Sequence, residues 1–198
     1  MTSKADATKA FVWIWLPGAT KPVVAGRLDP DGERLSFTYG ASYRSRKNAI
    51  PIYEPELPLQ EGAIEPINGL LMPSCIRDGS PDAWGRRVII NRLTGRKPNA
   101  DGVPEISELT YLLQSGSDRI GALDFQASAT EYVPRRAEQS SLDELLEAAA
   151  LVEKGVPLPP ALDQALNHGT SIGGARPKAL INDDTKRFIA KFSASNDT

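Results

Sequence analysis

An apolar run near the start, residues 11–16 (Phe-Val-Trp-Ile-Trp-Leu), constrains the fold of this 198-residue chain more than any other feature. Aromatic and β-branched residues dominate it, which is typical of a strand that is buried on both faces. Two further strands are predicted at 23–28 and 34–39, because these segments flank the turn-forming sequence Asp-Pro-Asp-Gly at 29–32. The pattern therefore predicts a small antiparallel sheet.

The middle of the chain contains signals for helices and one more strand. The proline-rich stretch 49–72 is predicted to form extended loops. After it, Ser80 is a suitable N-cap and Pro81 suits the first turn of a helix that Gly95 ends. A shorter helix is predicted at 106–113, and a strand is predicted at 120–125.

The last third of the chain begins with a polar stretch that has no periodicity, residues 127–139, which we interpret as a linker. Ser141 and Glu144 then stand at the spacing of a capping box, and the helix that they open is predicted to end at Gly155. A short helix follows around 161–166.

Composition excludes several classes of function. The formal net charge is -2, so the chain has no basic excess for binding nucleic acid or an anionic membrane. The single cysteine, Cys75, excludes an intramolecular disulfide and a cysteine-rich metal site, and we expect a buried or incidental thiol. The single histidine, His168, excludes a histidine cluster. Residues 1–9 do not resemble a signal peptide and the longest apolar run cannot span a bilayer, so we expect a cytoplasmic protein.

A glycine-rich loop is predicted at residues 169–175 (Gly-Thr-Ser-Ile-Gly-Gly-Ala). Glycines allow backbone N–H groups to approach a ligand, and successive N–H groups can form a nest for an anion. The loop is neither a Walker A motif nor a complete G-x-G-x-x-G. A plain connecting turn is the alternative interpretation of the loop when it is taken alone.

Two short apolar strands follow the loop on either side of the polar segment 182–187. If they form a hairpin in which Ile181 faces Phe188, then Lys178 faces Lys191. This register places Lys191 beside the glycine-rich loop, where a lysine can hold the phosphates of a nucleotide, as in protein kinases. The alternative is that both lysines are solvated residues of an edge strand.

Taken together, these motifs resemble those of the HipA toxin kinases. Residues 169–180 and 188–192, followed by Asn-Asp at 196–197, are similar to the phosphate-loop region of that family. Residues 80–87 (Ser-Pro-Asp-Ala-Trp-Gly-Arg-Arg) and 119–125 (Arg-Ile-Gly-Ala-Leu-Asp-Phe) resemble motifs of its amino-terminal subdomain. The resemblance covers nearly the whole chain after about residue 10, and the motifs occur in the family's order.

The resemblance implies an α+β fold. A mainly antiparallel amino-terminal subdomain is expected at 10–127, and the start of a kinase-like amino-terminal lobe is expected at 128–198. It also implies an ATP-dependent serine/threonine protein kinase toxin of a type II toxin–antitoxin system, with ATP and Mg²⁺ as cofactors of the complete kinase. The implied partners are a DNA-binding antitoxin and, as substrate, an aminoacyl-tRNA synthetase.

The family also implies roles for individual residues. Gly173, Gly174 and Ala175 match the loop that covers the ATP phosphates, and Lys191 matches the lysine that contacts them. Ser171 matches the loop serine on which these kinases autophosphorylate, which ejects the loop and switches the kinase off. A phosphate there would add nearly two negative charges where the ATP phosphates bind.

The chain departs from the family in its extent. A kinase needs a catalytic base and ligands for Mg²⁺, and in the family these lie well downstream of the phosphate-binding lysine, whereas this sequence stops at Thr198. We therefore expect no catalytic residue and no metal site within it, and poor ATP binding by the chain alone. The alternative function is a non-catalytic interaction module that binds an antitoxin or a separate kinase subunit.

Overall fold

The chain folds into two compact units, each assembled from separated segments. The structure, a computed structural model, describes residues 7–98, 100–135, 141–166, 174, 176–182 and 187–192. The first unit comprises Met1–Ser80, Ser107–Leu113 and Gly121–Val133, and the second comprises Pro81–Ile106, Gln114–Ile120 and Pro134–Thr198. The predicted α+β class is confirmed. The predicted division of the chain at residue 127 and the kinase-like character of its second part stay predictions.

A five-stranded antiparallel sheet organises the first unit. Its strands are β1 (Ala10–Ile14), β2 (Val23–Asp31), β3 (Arg34–Tyr39), β4 (Ala63–Ile64) and β5 (Leu123–Gln126), in the order β4-β3-β2-β1-β5. Residues 11–14 of the aromatic run predicted as a strand lie in β1, which pairs with a strand on each side, whereas Trp15 and Leu16 follow its end. The predicted hairpin also forms, but β2 extends to Asp31, so its tight turn lies at Gly32, where φ is +58°.

Helices occur in both units, and the second unit also has a hairpin. The helices are α1 (Ala41–Arg44), α2 (Ser74–Arg77), α3 (Ala83–Thr94), α4 (Glu108–Gln114), α5 (Leu142–Lys154) and α6 (Pro160–Leu166). The hairpin strands are β6 (Lys178–Asn182) and β7 (Arg187–Lys191). Among the described helices, none has the length and hydropathy needed to cross a bilayer.

Tyr39 anchors the proline-rich stretch of the first unit. Its buried ring stacks on Tyr43 with 5.8 Å between the ring centroids. Its hydroxyl donates to the carbonyl of Leu57 at 2.7 Å and accepts from the backbone N–H of Ile52 at 2.8 Å. Burial raises the pKa of this phenol to about 12. The segment predicted to form extended loops is thus tied to the sheet, and it also contains β4.

The core of the second unit lies where α3 packs against α5 and where α5 and α6 contact each other. Its buried members are Trp84, Val88, Leu145, Ala148, Ala149, Val152, Leu162, Leu166 and Phe192. The predicted capping box is confirmed, because Ser141 and Glu144 exchange side-chain and backbone hydrogen bonds at the start of α5. The helix ends at Gly155 in the left-handed conformation, as predicted.

The start of α3 differs from the prediction. Asp82, rather than Ser80, is the N-cap, and Pro81 precedes the helix instead of forming its first turn. The Ser80 hydroxyl donates to the carboxylate of Glu108 at 3.3 Å, so this side chain is engaged outside the helix. The helix ends at Gly95 in the left-handed conformation, as predicted.

Two other predicted boundaries shift by a few residues. The helix predicted at 106–113 is α4, which begins two residues later. The strand predicted at 120–125 is β5, which begins at Leu123, two residues after Gly121, whose φ of +119° departs from regular strand geometry. The assignment of 127–139 as a linker stays a prediction, and residues 136–139 lie outside the described residues.

Candidate functional site

The β6–β7 hairpin places two lysines opposite each other. Lys178 pairs with Lys191, and Ile181 pairs with Phe188, so the predicted register is confirmed. Lys178 is buried, with 4% of its surface exposed, whereas Lys191 is exposed. Like charges at directly opposed positions of an antiparallel pair destabilise a sheet. The chain therefore concentrates positive charge at one end of this hairpin at some cost in stability.

Gly174 lies close to the side chain of Lys178. Its φ of +118° is accessible to glycine and strained for other residues. A Cβ atom at this position would collide with the ammonium nitrogen of Lys178, so that side chain would have to move away from Gly174. The hairpin and Gly174 thus meet at Lys178.

The backbone of Gly174 also binds the start of α3. Its N–H donates to Oδ2 of Asp82 at 2.5 Å, and its carbonyl accepts from the N–H of Trp84 at 3.3 Å. The indole of Trp84 is fully buried, and its Nε1 donates to the carbonyl of Lys178 at 3.2 Å. Two hydrogen bonds therefore connect Gly174 to the start of α3, and a third connects the start of β6 to Trp84.

Among the described residues, three side chains contribute to the charge at this site. Burial lowers the pKa of Lys178 below its ordinary value of 10.5, Asp82 acts to raise it, and the facing Lys191 acts to lower it. An anion that approached both ammonium groups would relieve their repulsion. This set of two lysines and a backbone N–H group suits oxyanions such as phosphate, although Asp82 already occupies the N–H of Gly174.

Of the residues assigned to the phosphate site, the structure describes Gly174, which lies close to Lys178, and Lys191, which pairs with Lys178. The other assigned residues, Gly173, Ala175 and Ser171, lie outside the described residues, as do Thr170 and His168. Sequence reasoning missed Asp82, which it treated only as part of a motif and of a helix start. Its separation of 92 residues from Gly174 leaves no local signal of their contact.

The thiol of Cys75 and possible metal ligands were the other candidates for a functional site. Cys75 is partly buried, and burial, together with the nearby Glu56, raises the pKa of its thiol to about 11. A thiol in this environment is a poor nucleophile at neutral pH. In the part of the chain that the structure describes, no group of three or more histidine, cysteine, aspartate or glutamate side chains is arranged to hold a metal ion.

The family model of the HipA N-terminal domain matches residues 15–126, which is more than half of the 198-residue chain. Two of the motifs on which the resemblance rests, 80–87 and 119–125, lie within this range. The phosphate-loop motif lies beyond it, so the assignment of that motif stays a prediction. No curated protein matches the chain. The match confirms the resemblance for the amino-terminal portion, and the chain belongs to the HipA N-terminal domain family.

Proposed function

We propose that this chain supplies the phosphate-binding part of a HipA-like, ATP-dependent serine/threonine protein kinase that acts as the toxin of a type II toxin–antitoxin system. The observation that carries the proposal is the position of Lys178, whose ammonium group lies close to Gly174 and which faces Lys191 in the β6–β7 hairpin. A backbone N–H group and two ammonium groups can together hold the charge of an ATP phosphate chain.

The electrostatics of the hairpin support an anionic ligand. Lys178 is buried and faces Lys191, and both features disfavour its charged form. An arrangement that lowers stability and shifts a pKa is typical of functional sites. Bound phosphate oxygens would offset the repulsion between the two lysines, so ligand binding and stability of the second unit should be linked.

The proposed ligand contacts follow from the loop and the hairpin. The phosphates would accept hydrogen bonds from the backbone N–H groups of Gly173, Gly174 and Ala175. The ammonium group of Lys191 would contact the same phosphates as a point charge. Ser171 would be the autophosphorylation site, since a phosphate on it would compete with ATP for the same positive charge. The proposal assigns no catalytic base and no magnesium ligand to this chain.

The proposed partners follow from membership in the family rather than from any surface of the chain. A DNA-binding antitoxin would bind the protein, and an aminoacyl-tRNA synthetase would be the substrate of the complete kinase, in the cytoplasm. The net charge of -2 does not favour direct binding of nucleic acid by this chain, so contact with DNA would be made by the antitoxin.

The test is a titration of the ¹⁵N-labelled chain with Mg-ATP, followed by the amide resonances of Gly174, Lys178 and Lys191. We expect weak, fast-exchange binding with a Kd on the order of 1 mM, which corresponds to roughly 4 kcal/mol, and shifts centred on these residues. Lys191→Ala should abolish the shifts. Lys47→Ala, which removes the same charge from an exposed position of the first unit, should leave them unchanged.

Two results would contradict the proposal. One is binding that is equally strong in Lys191→Ala, because the phosphates would then be held elsewhere. The other is no response to Mg-ATP up to concentrations well above the millimolar range. The second result would favour the non-catalytic interaction module, whose partner could then be sought by co-expression with an antitoxin.

A further inference from the structure

We propose that Asp82 is an internal competitor for the anion site, a carboxylate that accepts the N–H of Gly174 until a phosphate chain displaces it. This inference rests on the proposed function, because it concerns regulation of the same site. Oδ2 of Asp82 accepts the N–H of Gly174 at 2.5 Å, and this N–H is the described donor of the glycine-rich loop. This single N–H group cannot donate a full-strength hydrogen bond to a carboxylate oxygen and to a phosphate oxygen at the same time.

The geometry of α3 points to the same role. Aspartate at an N-cap ordinarily accepts a hydrogen bond from a backbone N–H in the first turn of its own helix. Asp82 makes no such bond, and its carboxylate is directed to Gly174 instead. The N–H of Trp84 in that first turn donates to the carbonyl of Gly174 at 3.3 Å. Asp82 therefore does not cap its own helix, and the N–H of Trp84 and the carboxylate of Asp82 both bond to the backbone of Gly174.

The charges around the loop add a second argument. Asp82 acts to raise the pKa of Lys178, against the effects of burial and of Lys191. It therefore does, with one negative charge, part of what a phosphate would do. A ligand with a single charge gains little by replacing it, whereas a polyphosphate brings several charges to the two lysines. Asp82 thus lowers affinity for all anions and favours those of high charge.

The experiment measures binding of tripolyphosphate by calorimetry to the wild-type chain and to Asp82→Asn. Asparagine is an equally good N-cap and removes only the charge. We expect about three- to tenfold tighter binding by the variant. Asp82→Ser, which also retains a capping side chain, provides a second variant with the same expected direction. Asp101→Asn removes the same charge from an exposed turn of the second unit and should change affinity by less than about twofold.

The outcomes separate this inference from the proposed function. Tighter binding by both Asp82 variants, lost again when Lys191→Ala is added, supports the competitor role. Equal or weaker binding by the Asp82 variants overturns it and makes Asp82 a residue that positions the loop, while Lys191-dependent binding by the wild type would leave the proposed function intact. Failure of every variant to bind tripolyphosphate would overturn both.

Discussion

Nε1 of Trp84 donates a hydrogen bond to the backbone carbonyl of Lys178 at 3.2 Å, across 94 residues of sequence. The indole is fully buried, and it belongs to the same core as α5 and α6. Through this bond, the packing of the second unit sets the position of the first residue of β6, whose side chain lies at the candidate anion site. The aromatic residue therefore connects the stability of the core to the geometry of the site.

Trp84→Phe should lower the stability of the core and disturb the geometry of the site. The substitution leaves the carbonyl of Lys178 without its buried donor and opens a small cavity, so we expect a loss of about 2 kcal/mol in the free energy of unfolding. Urea denaturation followed by circular dichroism gives the measurement. Trp15→Phe, at a half-buried position of the first unit, is the control and should cost less. An unchanged unfolding midpoint for Trp84→Phe would show that the bond contributes nothing.

Lys178→Met should stabilise the chain and abolish anion binding. Burial and Lys191 disfavour the charged form of Lys178, so its replacement by an apolar side chain is expected to add about 1 kcal/mol at pH 7. Equal or lower stability, or unimpaired binding of tripolyphosphate, would argue against a functional origin of this buried charge. Lys47→Met, at an exposed position, is the matched control and should change neither property.

The same lysine should make stability depend on pH. Because its folded pKa lies below the ordinary value of 10.5, the unfolded chain binds more protons over the interval between them. The contribution of Lys178 to stability therefore rises with pH through its folded pKa and levels off above 10.5. Free energies of unfolding measured from pH 7 upward should show this rise in the wild type. The difference in the free energy of unfolding between the wild type and Lys178→Met should therefore become smaller as pH rises.

Cys75 should react slowly in the folded protein. Its pKa of about 11 leaves far less thiolate near pH 8 than the ordinary value of 9.0 would, so labelling by a disulfide reagent should be roughly 100-fold slower than in urea. Because the folded pKa is raised, this group lowers stability as pH rises from 9.0 towards 11. Labelling of the native chain within tenfold of the unfolded rate would contradict the burial of the thiol.

Gly26→Ala should strongly destabilise the first unit. A Cβ atom on Gly26 in β2 would collide with the carbonyl oxygen of Thr38 and with the ring of Phe37, both in β3. We expect a loss of about 2 to 3 kcal/mol, since neither backbone nor a buried ring yields easily. Gly40→Ala is the matched control, because its nearest neighbours are 3.8 Å or more from the added atom. Similar stabilities of the two variants would contradict this packing.

The elements with local signals were predictable from the sequence. The aromatic run of β1, the capping box of Ser141 and Glu144, and the terminal glycine of α5 all place their elements correctly. The facing of Lys178 and Lys191 was predictable as well, because two short strands around a polar segment allow few registers. In each case the determining residues lie within a few positions of one another.

What the sequence did not reveal depends on contacts between distant segments. Ser80 and Asp82 are both good N-caps, and the choice between them follows from Glu108 and Gly174, which local patterns cannot bring near. The two-residue strand β4 has no periodicity to detect, and it exists because Ile64 pairs with Phe37. The burial of Lys178 beside Gly174 likewise emerges only from the tertiary fold.

The most direct test of the account compares three ligands of the same chain: Mg-ATP, tripolyphosphate and adenosine. If Gly174, Lys178 and Lys191 bind phosphate, then Mg-ATP and tripolyphosphate should both shift the amide resonances of these residues, Lys191→Ala should abolish both responses, and adenosine should give none. Binding of adenosine with an affinity equal to that of Mg-ATP, or shifts that persist in Lys191→Ala, would contradict the central claim that this hairpin holds phosphate.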